Sequence, residues 1–222
     1  MTNASRAVPR LTLERKLLRE YDLVISCDEV GRGALAGPVA VGATVTDAAL
    51  SRRRVPEGLR DSKLIPEPRR AELARRAAGW VVDSAVGWAS SAEIDEIGIL
   101  PALGLAARRA LAELTAHGVD LSRAIVILDG NHDYISRAAG PRLTVRPVIK
   151  ADRDCAGAAA ASVIAKVARD DLMGGLHDDL PAYQWVRNKG YASPEHRAAI
   201  LEHGVSDHHR VSWAFAGAPT LF

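Results

Sequence analysis

The sequence predicts an α/β fold in a single domain, and three observations lead to it. Short β-branched apolar runs at 23–25, 38–45 and 124–128 alternate with stretches of helical character, the order of elements that builds a sheet covered by helices. Ala124-Ile125-Val126-Ile127-Leu128 is apolar without a break, as expected of a central strand covered on both faces. The 222 residues, 48% of them hydrophobic, can bury a substantial core of that kind, with room for a small C-terminal extension.

Taken in order, residues 11–21 set Leu11, Leu13, Leu17 and Leu18 among charges, the pattern of a short packing helix. Leu23-Val24-Ile25 is the first strand. Segment 38–45 begins at Pro38 and is β-rich, so it pairs with the first strand as a hairpin-like return. Pro66 opens a helix to about residue 78, and residues 80–89 read as a third strand. Ser90-Ser91 offers an N-cap, with helices following over about 91–97 and 100–117 and Gly118 ending the second. After the strand at 124–128, the alternation from Leu143 to Ile149 predicts another. A helix then starts near Cys155 with almost only small residues in its first turns, which permit close approach to a neighbour. Ser193-Pro194-Glu195 caps a last helix across about 194–203.

Acids close the buried strands. The first strand runs into Cys27-Asp28-Glu29-Val30-Gly31-Arg32-Gly33, where neighbouring carboxylates can serve one site only if the backbone turns there. Gly31 and Gly33 supply that freedom, leave the N–H and C=O groups of 31–33 open to a polar ligand, and place Arg32 ready for a phosphate. Asp129 closes the central strand and Asp152 follows the 143–149 strand, so three strand ends could converge in the crevice where α/β sheets bind ligands. Alternatives stand beside each reading. Asp28-Glu29 could be a polar glycine turn, Asp152 and Asp154 could be helix caps, and Asp61-Ser62-Lys63 could be an exposed turn instead of a phosphate contact. Tyr183-Gln184-Trp185-Val186-Arg187-Asn188-Lys189-Gly190-Tyr191 mixes aromatics with bases, as either a nucleic-acid edge or a core-capping loop. His177-Asp178-Asp179, His132 and His208-His209-Arg210 lack partners at ligand spacing and read as ordinary polar positions.

Composition sets outer limits. A net charge of +2 neither demands nor excludes nucleic acid. Cys27 and Cys155 form no metal or redox motif, which predicts a reduced, cytoplasmic protein, and no 18-residue apolar run predicts a membrane span. Neither secretion nor membrane association is expected.

Joined in order and spacing, these motifs resemble a family. They are Asp-Glu-Val-Gly-Arg-Gly at 28–33, Ala-Gly-Pro-Val at 36–39, Asp-Ser-Lys-Leu at 61–64, Leu-Asp-Gly at 128–130, Lys-Ala-Asp at 150–152, Ala-Ala-Ala-Ser-Val-Ile-Ala-Lys-Val-Ala-Arg-Asp at 159–170 and Lys-Gly-Tyr at 189–191. From about residue 20 to 213 the chain resembles ribonuclease HII, the type 2 ribonuclease H family. The resemblance implies a ribonuclease H-like mixed β-sheet flanked by helices, with a helical C-terminal extension. Residues 1–222 would be one catalytic domain, with a core over about 20–173 and a substrate-binding extension over about 174–222. It implies that Asp28, Glu29, Asp129 and Asp152 bind Mn²⁺ or Mg²⁺, that Gly31-Arg32-Gly33 reads a ribose 2′-hydroxyl, and that Tyr191 stacks on a sugar. Ser62, Lys63, Ser162 and Lys166 carry over as phosphate or structural contacts. Two departures are Asn188, where many relatives have histidine, and Asp154, an extra acid beside Asp152.

The activity implied is endonucleolytic hydrolysis of the RNA strand of RNA·DNA hybrids, and incision 5′ of single ribonucleotides in duplex DNA, by a two-metal route that leaves 3′-hydroxyl and 5′-phosphate. A small-phosphoester hydrolase would explain the acids without the basic and aromatic edge. A hybrid-binding module would not explain crowded acids that repel phosphate. The expected protein is a monomer. Ala218-Pro219-Thr220-Leu221-Phe222 resembles peptides held by DNA sliding clamps, or packs on the protein's own core.

Overall fold

Five apolar segments extend into β1 (Leu23–Val30), β2 (Val39–Thr46), β3 (Asp83–Ala89), β4 (Ala124–Asp129) and β5 (Thr144–Val148). In the computed structural model, which describes residues 8–139 and 143–213, they form one mixed sheet ordered β3-β2-β1-β4-β5. β1 pairs antiparallel with β2 and parallel with β4, so the hairpin-like return predicted for 38–45 is present. The third strand begins at Asp83, later than the expected 80, because Trp80 and Val81 are buried in the turn before it.

The helices are α1 (Thr12–Leu17), α2 (Glu67–Ala78), α3 (Ser91–Ile97), α4 (Ile99–Ala116), α5 (Ser136–Ala139), α6 (Ala151–Asp154), α7 (Ala156–Asp179), α8 (Trp185–Asn188) and α9 (Pro194–His203). α4 covers one face of the sheet, packing Leu103, Ala106, Ala110 and Leu114 against Ile25, Val41, Val45 and Val126. α7 covers the other face, with Ala158 against Val24 and Ile125. Both helices lie close because the strands carry glycine beneath them. A Cβ at Gly42 would stand 2.5 Å from the Ala161 carbonyl oxygen of α7, and one at Gly87 would stand 1.9 Å from that of Ala106 on α4. The small residues of α7 thus bring this helix down onto the end of β1.

Gly174 and Gly175 do not end α7. The helix continues to Asp179 because Leu172, Met173 and Leu176 pack into a second core with Leu35, Tyr183, Trp185, Ala199 and Ile200. That small core fastens α8 and α9 to the loop that follows β1. Among the described residues no helix is long and apolar enough to cross a membrane.

Candidate active site at the strand ends

β1 and β4 lie parallel with Cys27 opposite Leu128, so the next residues, Asp28 and Asp129, stand side by side at the carboxyl edge of the sheet. After β5, Lys150 takes a left-handed turn at φ 61° and α6 starts, which places the Asp152 N–H 3.3 Å from Asp129 Oδ1 as a donor. Asp28 and Asp152 are buried, each 7% exposed. Burial raises the Asp28 carboxyl well above its usual range, and the Asp129 charge adds to the effect while a hydrogen bond from Ser162 opposes it. Asp152 rises to about 6, first by burial and then by the Asp129 charge. Asp129 is also raised by burial, partly offset by the backbone N–H groups of Asp152 and Ala151.

Asp154 is turned out of this group. It is exposed and paired with Arg153 at 2.7 Å, so it plays no part in the crowding that raises Asp152. Glu29 lies on the opposite face of β1, because the strand continues to Val30 and the turn comes only at Gly31, with φ 86°. The backbone does not turn between Asp28 and Glu29 as the sequence suggested. Glu29 accepts from the Tyr134 hydroxyl at 3.2 Å and sits 3.6 Å from Arg32, while its charge still bears on Asp28. Among the described residues no three acids, cysteines or histidines stand at ready coordination spacing, so the carboxylates form a loose set that communicates through charge. The donors fit a hard divalent cation: all are oxygens, and a bound positive charge would offset the burial and repulsion that raise Asp28 and Asp152.

Two serines connect this group to the 3-10 turn Ser62–Leu64. The hydroxyls of Ser162 on α7 and Ser62 are hydrogen-bond partners at 2.9 Å, and the Ser162 hydroxyl also bears on the Asp28 carboxyl. Both hydroxyls are buried, so they orient the acids and the turn more than they meet solvent. Asp61 caps the turn by accepting from the Lys63 N–H at 2.9 Å. Burial draws the Lys63 ammonium down, but Asp61, Asp28, Asp152 and Asp129 together outweigh it and the net shift is upward. Lys63 is the cation that faces the acids. Lys166 is instead committed within α7 to Asp170, a structural pair.

The glycine loop is fixed from beneath by two buried arginines. Arg210 donates to the carbonyls of Gly31 at 2.7 Å, Arg32 at 3.0 Å and Gly37 at 3.0 Å. Arg169 donates to Pro38 at 2.8 Å, Lys189 at 2.9 Å and Ala36 at 3.1 Å, and lies 5.4 Å from the centre of the Tyr191 ring. Those carbonyls are therefore not open to a ligand, contrary to the reading of 31–33 as bare backbone. The N–H groups of Arg32 and Gly33 make no hydrogen bond among the described residues and remain available. The two loops also meet directly, since Gly190 O accepts from Leu35 N at 2.8 Å and Ala36 N at 3.2 Å. Asn188, one of the two departures, shapes this junction by donating to Tyr183 O at 2.7 Å and accepting from Gly190 N at 2.8 Å.

Sequence reasoning missed Arg169 and Arg210, and it read His208-His209-Arg210 as ordinary polar positions. The structure buries His209 and Arg210. Tyr183 and Trp185 are buried and stacked with ring centres 5.1 Å apart, so they cap the small core, while Val186 and Arg187 are exposed and Lys189 and Tyr191 are half-buried. No local signal marks the two arginines, because the carbonyls they serve, on Gly31, Arg32, Ala36, Gly37, Pro38 and Lys189, are brought to them only by the fold.

A mixed five-stranded sheet with carboxylates massed at the ends of its central parallel strands, a cation facing them and a polar loop at their edge defines a metal-dependent phosphodiester hydrolase of the ribonuclease H type. The chain belongs to the ribonuclease HII family, whose model matches residues 25–216. It is 48% identical over 215 residues to ribonuclease HII of Streptomyces griseus subsp. griseus, covering 95% of this chain and 86% of that one. It is 40% identical to ribonuclease HII of a Wolbachia from Brugia malayi, covering 94% of each. Among solved structures, ribonuclease H2 of Pyrococcus horikoshii superposes with a TM-score of 0.65 at 26% identity, covering 87% of this chain and 95% of that one. Bst-RNase HIII in complex with Mn²⁺ shares the fold, with a TM-score of 0.67 at 20% identity over 90% of this chain and 70% of that one. The protein is accordingly a metal-dependent endonuclease that acts on RNA·DNA hybrids.

Proposed function

We propose that Asp28, Asp129 and Asp152, joined by Glu29 reaching round the end of β1 from its other face, hold two divalent ions, Mn²⁺ or Mg²⁺, and that the enzyme incises hybrids and also the 5′ side of single ribonucleotides in duplex DNA. The observation that carries this reading is the crowding of Asp28, Asp129 and Asp152 at one sheet edge, where burial raises all three and the Asp129 charge adds to the rise of Asp28 and Asp152. Crowded acids repel a phosphodiester on their own, so the site is suited to its substrate only with cations bound. When bound, such ions activate water and stabilise the leaving 3′-oxygen, giving 3′-hydroxyl and 5′-phosphate ends. The Mn²⁺ complex of the HIII relative supports the choice of cation.

The chain's own residues divide the remaining work. Ser162 orients Asp28, and Lys63 faces the acids where a substrate phosphate would enter. The free N–H groups of Arg32 and Gly33 bond the 2′-hydroxyl, and Tyr191 lies against the neighbouring sugar. Lys166 serves the fold instead of the phosphate.

A DNA sliding clamp is a proposed partner. A structural relative from Archaeoglobus fulgidus is a PCNA:RNase HII complex, and residues 218–222, which carry the clamp-like motif here, lie outside the described residues. A cytoplasmic, monomeric enzyme completes the reading. The deciding assay is a labelled duplex with one embedded ribonucleotide, incubated with Mg²⁺, with Mn²⁺ and with chelator, beside an all-DNA control. Cleavage on the 5′ side of the ribonucleotide that needs the ion is the expected result, and cutting of the all-DNA control at a similar rate would refute it.

A further inference from the structure

Segment 52–76 holds nine basic residues against four acidic ones, a local surplus of five in a chain whose net charge is only +2. Three of these residues, Arg60, Arg69 and Arg76, line a cavity of about 240 Å³ together with Leu64, Leu73 and Glu72. Arg69, Leu73 and Arg76 follow one another along a single face of α2, at the spacing that makes helical neighbours. None of the three guanidiniums has an ion-pair or hydrogen-bond partner among the described residues, although Glu72 lines the same cavity. Their neighbour Arg70 differs: it is committed to Ser62 O at 3.1 Å, Ile65 O at 3.0 Å and Asp170 at 3.9 Å. Three uncommitted cations around one concavity, with Leu64 left 44% exposed at its edge, describe a site for an anion that also carries apolar surface.

The cavity adjoins the catalytic edge through the turn Ser62–Leu64. Lys63 stands in the field of Asp28, Asp152 and Asp129, and Leu64, the next residue, lines the cavity. Lys63 and Leu64 are consecutive in that turn, so the cavity continues outward from the catalytic edge. We propose that Arg60, Arg69 and Arg76 form a second, sequence-independent subsite that grips the sugar-phosphate backbone of the substrate duplex beyond the cleaved position. This rests on the nuclease reading above. Guanidiniums suit phosphate oxygens in pairs, and the Leu64 side chain offers a surface to the sugar between them.

The experiment measures binding to all-DNA duplexes without added metal, so that no cleavage intervenes. One duplex is confined to the cleavage site, and the other extends it on either side by about one helical turn, roughly 10 base pairs. For wild type the longer duplex should bind more tightly and with a steeper dependence of log K on log salt. Each phosphate contact adds about 0.9 to that slope, so the triple variant R60Q/R69Q/R76Q should lose about 2–3 from it on the long duplex only. The charge-keeping variant R60K/R69K/R76K should retain most of the slope, and melting curves of both variants should match wild type because the side chains lack internal partners. An unchanged slope in the glutamine variant, or an equal loss on both duplexes, overturns the subsite while leaving the nuclease reading intact. Failure of the nuclease reading shows separately, as absence of metal-dependent wild-type cleavage at an embedded ribonucleotide.

Discussion

The Arg169 guanidinium lies 5.4 Å from the centre of the Tyr191 ring and donates from the same fork to the carbonyls of Pro38, Ala36 and Lys189. One buried cation therefore sets the height of the tyrosine above the glycine loop. Arg169→Lys keeps the charge but cannot reach three carbonyls in a plane, so buried acceptors are left unpaired at a cost of about 1–3 kcal/mol each at most. Urea denaturation should show a loss of about 2–4 kcal/mol. Cleavage should fall by about 10²-fold, as small displacements of positioning groups do. A folded Lys variant with wild-type turnover would show that Arg169 only fills space.

Asp28 should trade stability for function. Its folded-state value is raised, so its charged form opposes folding, and stability from this group falls as pH rises above the usual carboxylate range. Asp28→Asn removes the buried charge and its repulsion with Asp129 while keeping volume. In chelator at neutral pH, its melting temperature should rise by a few degrees, the equivalent of about 1–2 kcal/mol in a chain of this size. Metal-dependent cleavage should drop by at least about 10³-fold. A variant that melts lower and still cuts would remove Asp28 from the site.

Much of this arrangement was readable because the acids sit where apolar runs stop, as at Leu128-Asp129 and Cys27-Asp28. A strand end is a local signal. The helix boundaries at Ser90 and Ser193 were equally readable, since each side chain accepts from the N–H three residues on, that of Glu93 and of His196. Arg169 and Arg210 were not readable. An arginine on an alanine-rich helix, or beside two histidines, looks solvated until the tertiary fold turns unpaired carbonyls toward it. Gly174-Gly175 show the opposite balance: glycine disfavours a helix locally, but Met173 and Leu176 gain more by continuing into the second core.

The buried histidine pair predicts a pH effect. Trp185 Nε1–H donates to His196 Nε2 at 3.0 Å, and His196 Nδ1 lies 2.8 Å from Tyr191 O, so His196 carries its proton on Nδ1 and helps to fix the Tyr191 backbone. His209 Nε2 stands 3.1 Å from His196 Nε2, and burial, then the His196 charge, drives His209 down to about 4. Between about 4 and the ordinary value near 6.5 the unfolded chain holds more protons than the folded one, so stability rises with pH across that window and is lost as pH falls through it. The full effect is about 3 kcal/mol. His209→Gln should flatten the unfolding free energy between those limits by close to one proton. An unaltered pH profile would mean that His209 titrates in the fold at its ordinary value.

Gly31 and Tyr191 should fail differently, because they would act on different nucleotides. A Cβ at Gly31 would stand 2.2 Å from Arg169 Nε, on a backbone at φ 86° that side chains rarely adopt. Gly31→Ala should therefore displace Arg169 and the N–H groups beside it, lowering cleavage of long RNA·DNA hybrids and of lone ribonucleotides alike. Tyr191→Ala leaves the glycine loop held by Arg210 and removes only the ring that, on the proposed reading, would lie against the 3′-side sugar. Cutting at a lone ribonucleotide, where that sugar is deoxyribose, should suffer more than cutting within a hybrid. All-DNA duplex should stay uncut by about 10⁴-fold in either background, since N–H groups awaiting a hydroxyl would be left unpaired. Rates for both variants on both substrates test the division. Equal losses for Tyr191→Ala on hybrid and lone ribonucleotide would assign Tyr191 to general backbone binding and leave recognition of the RNA-to-DNA junction to other residues.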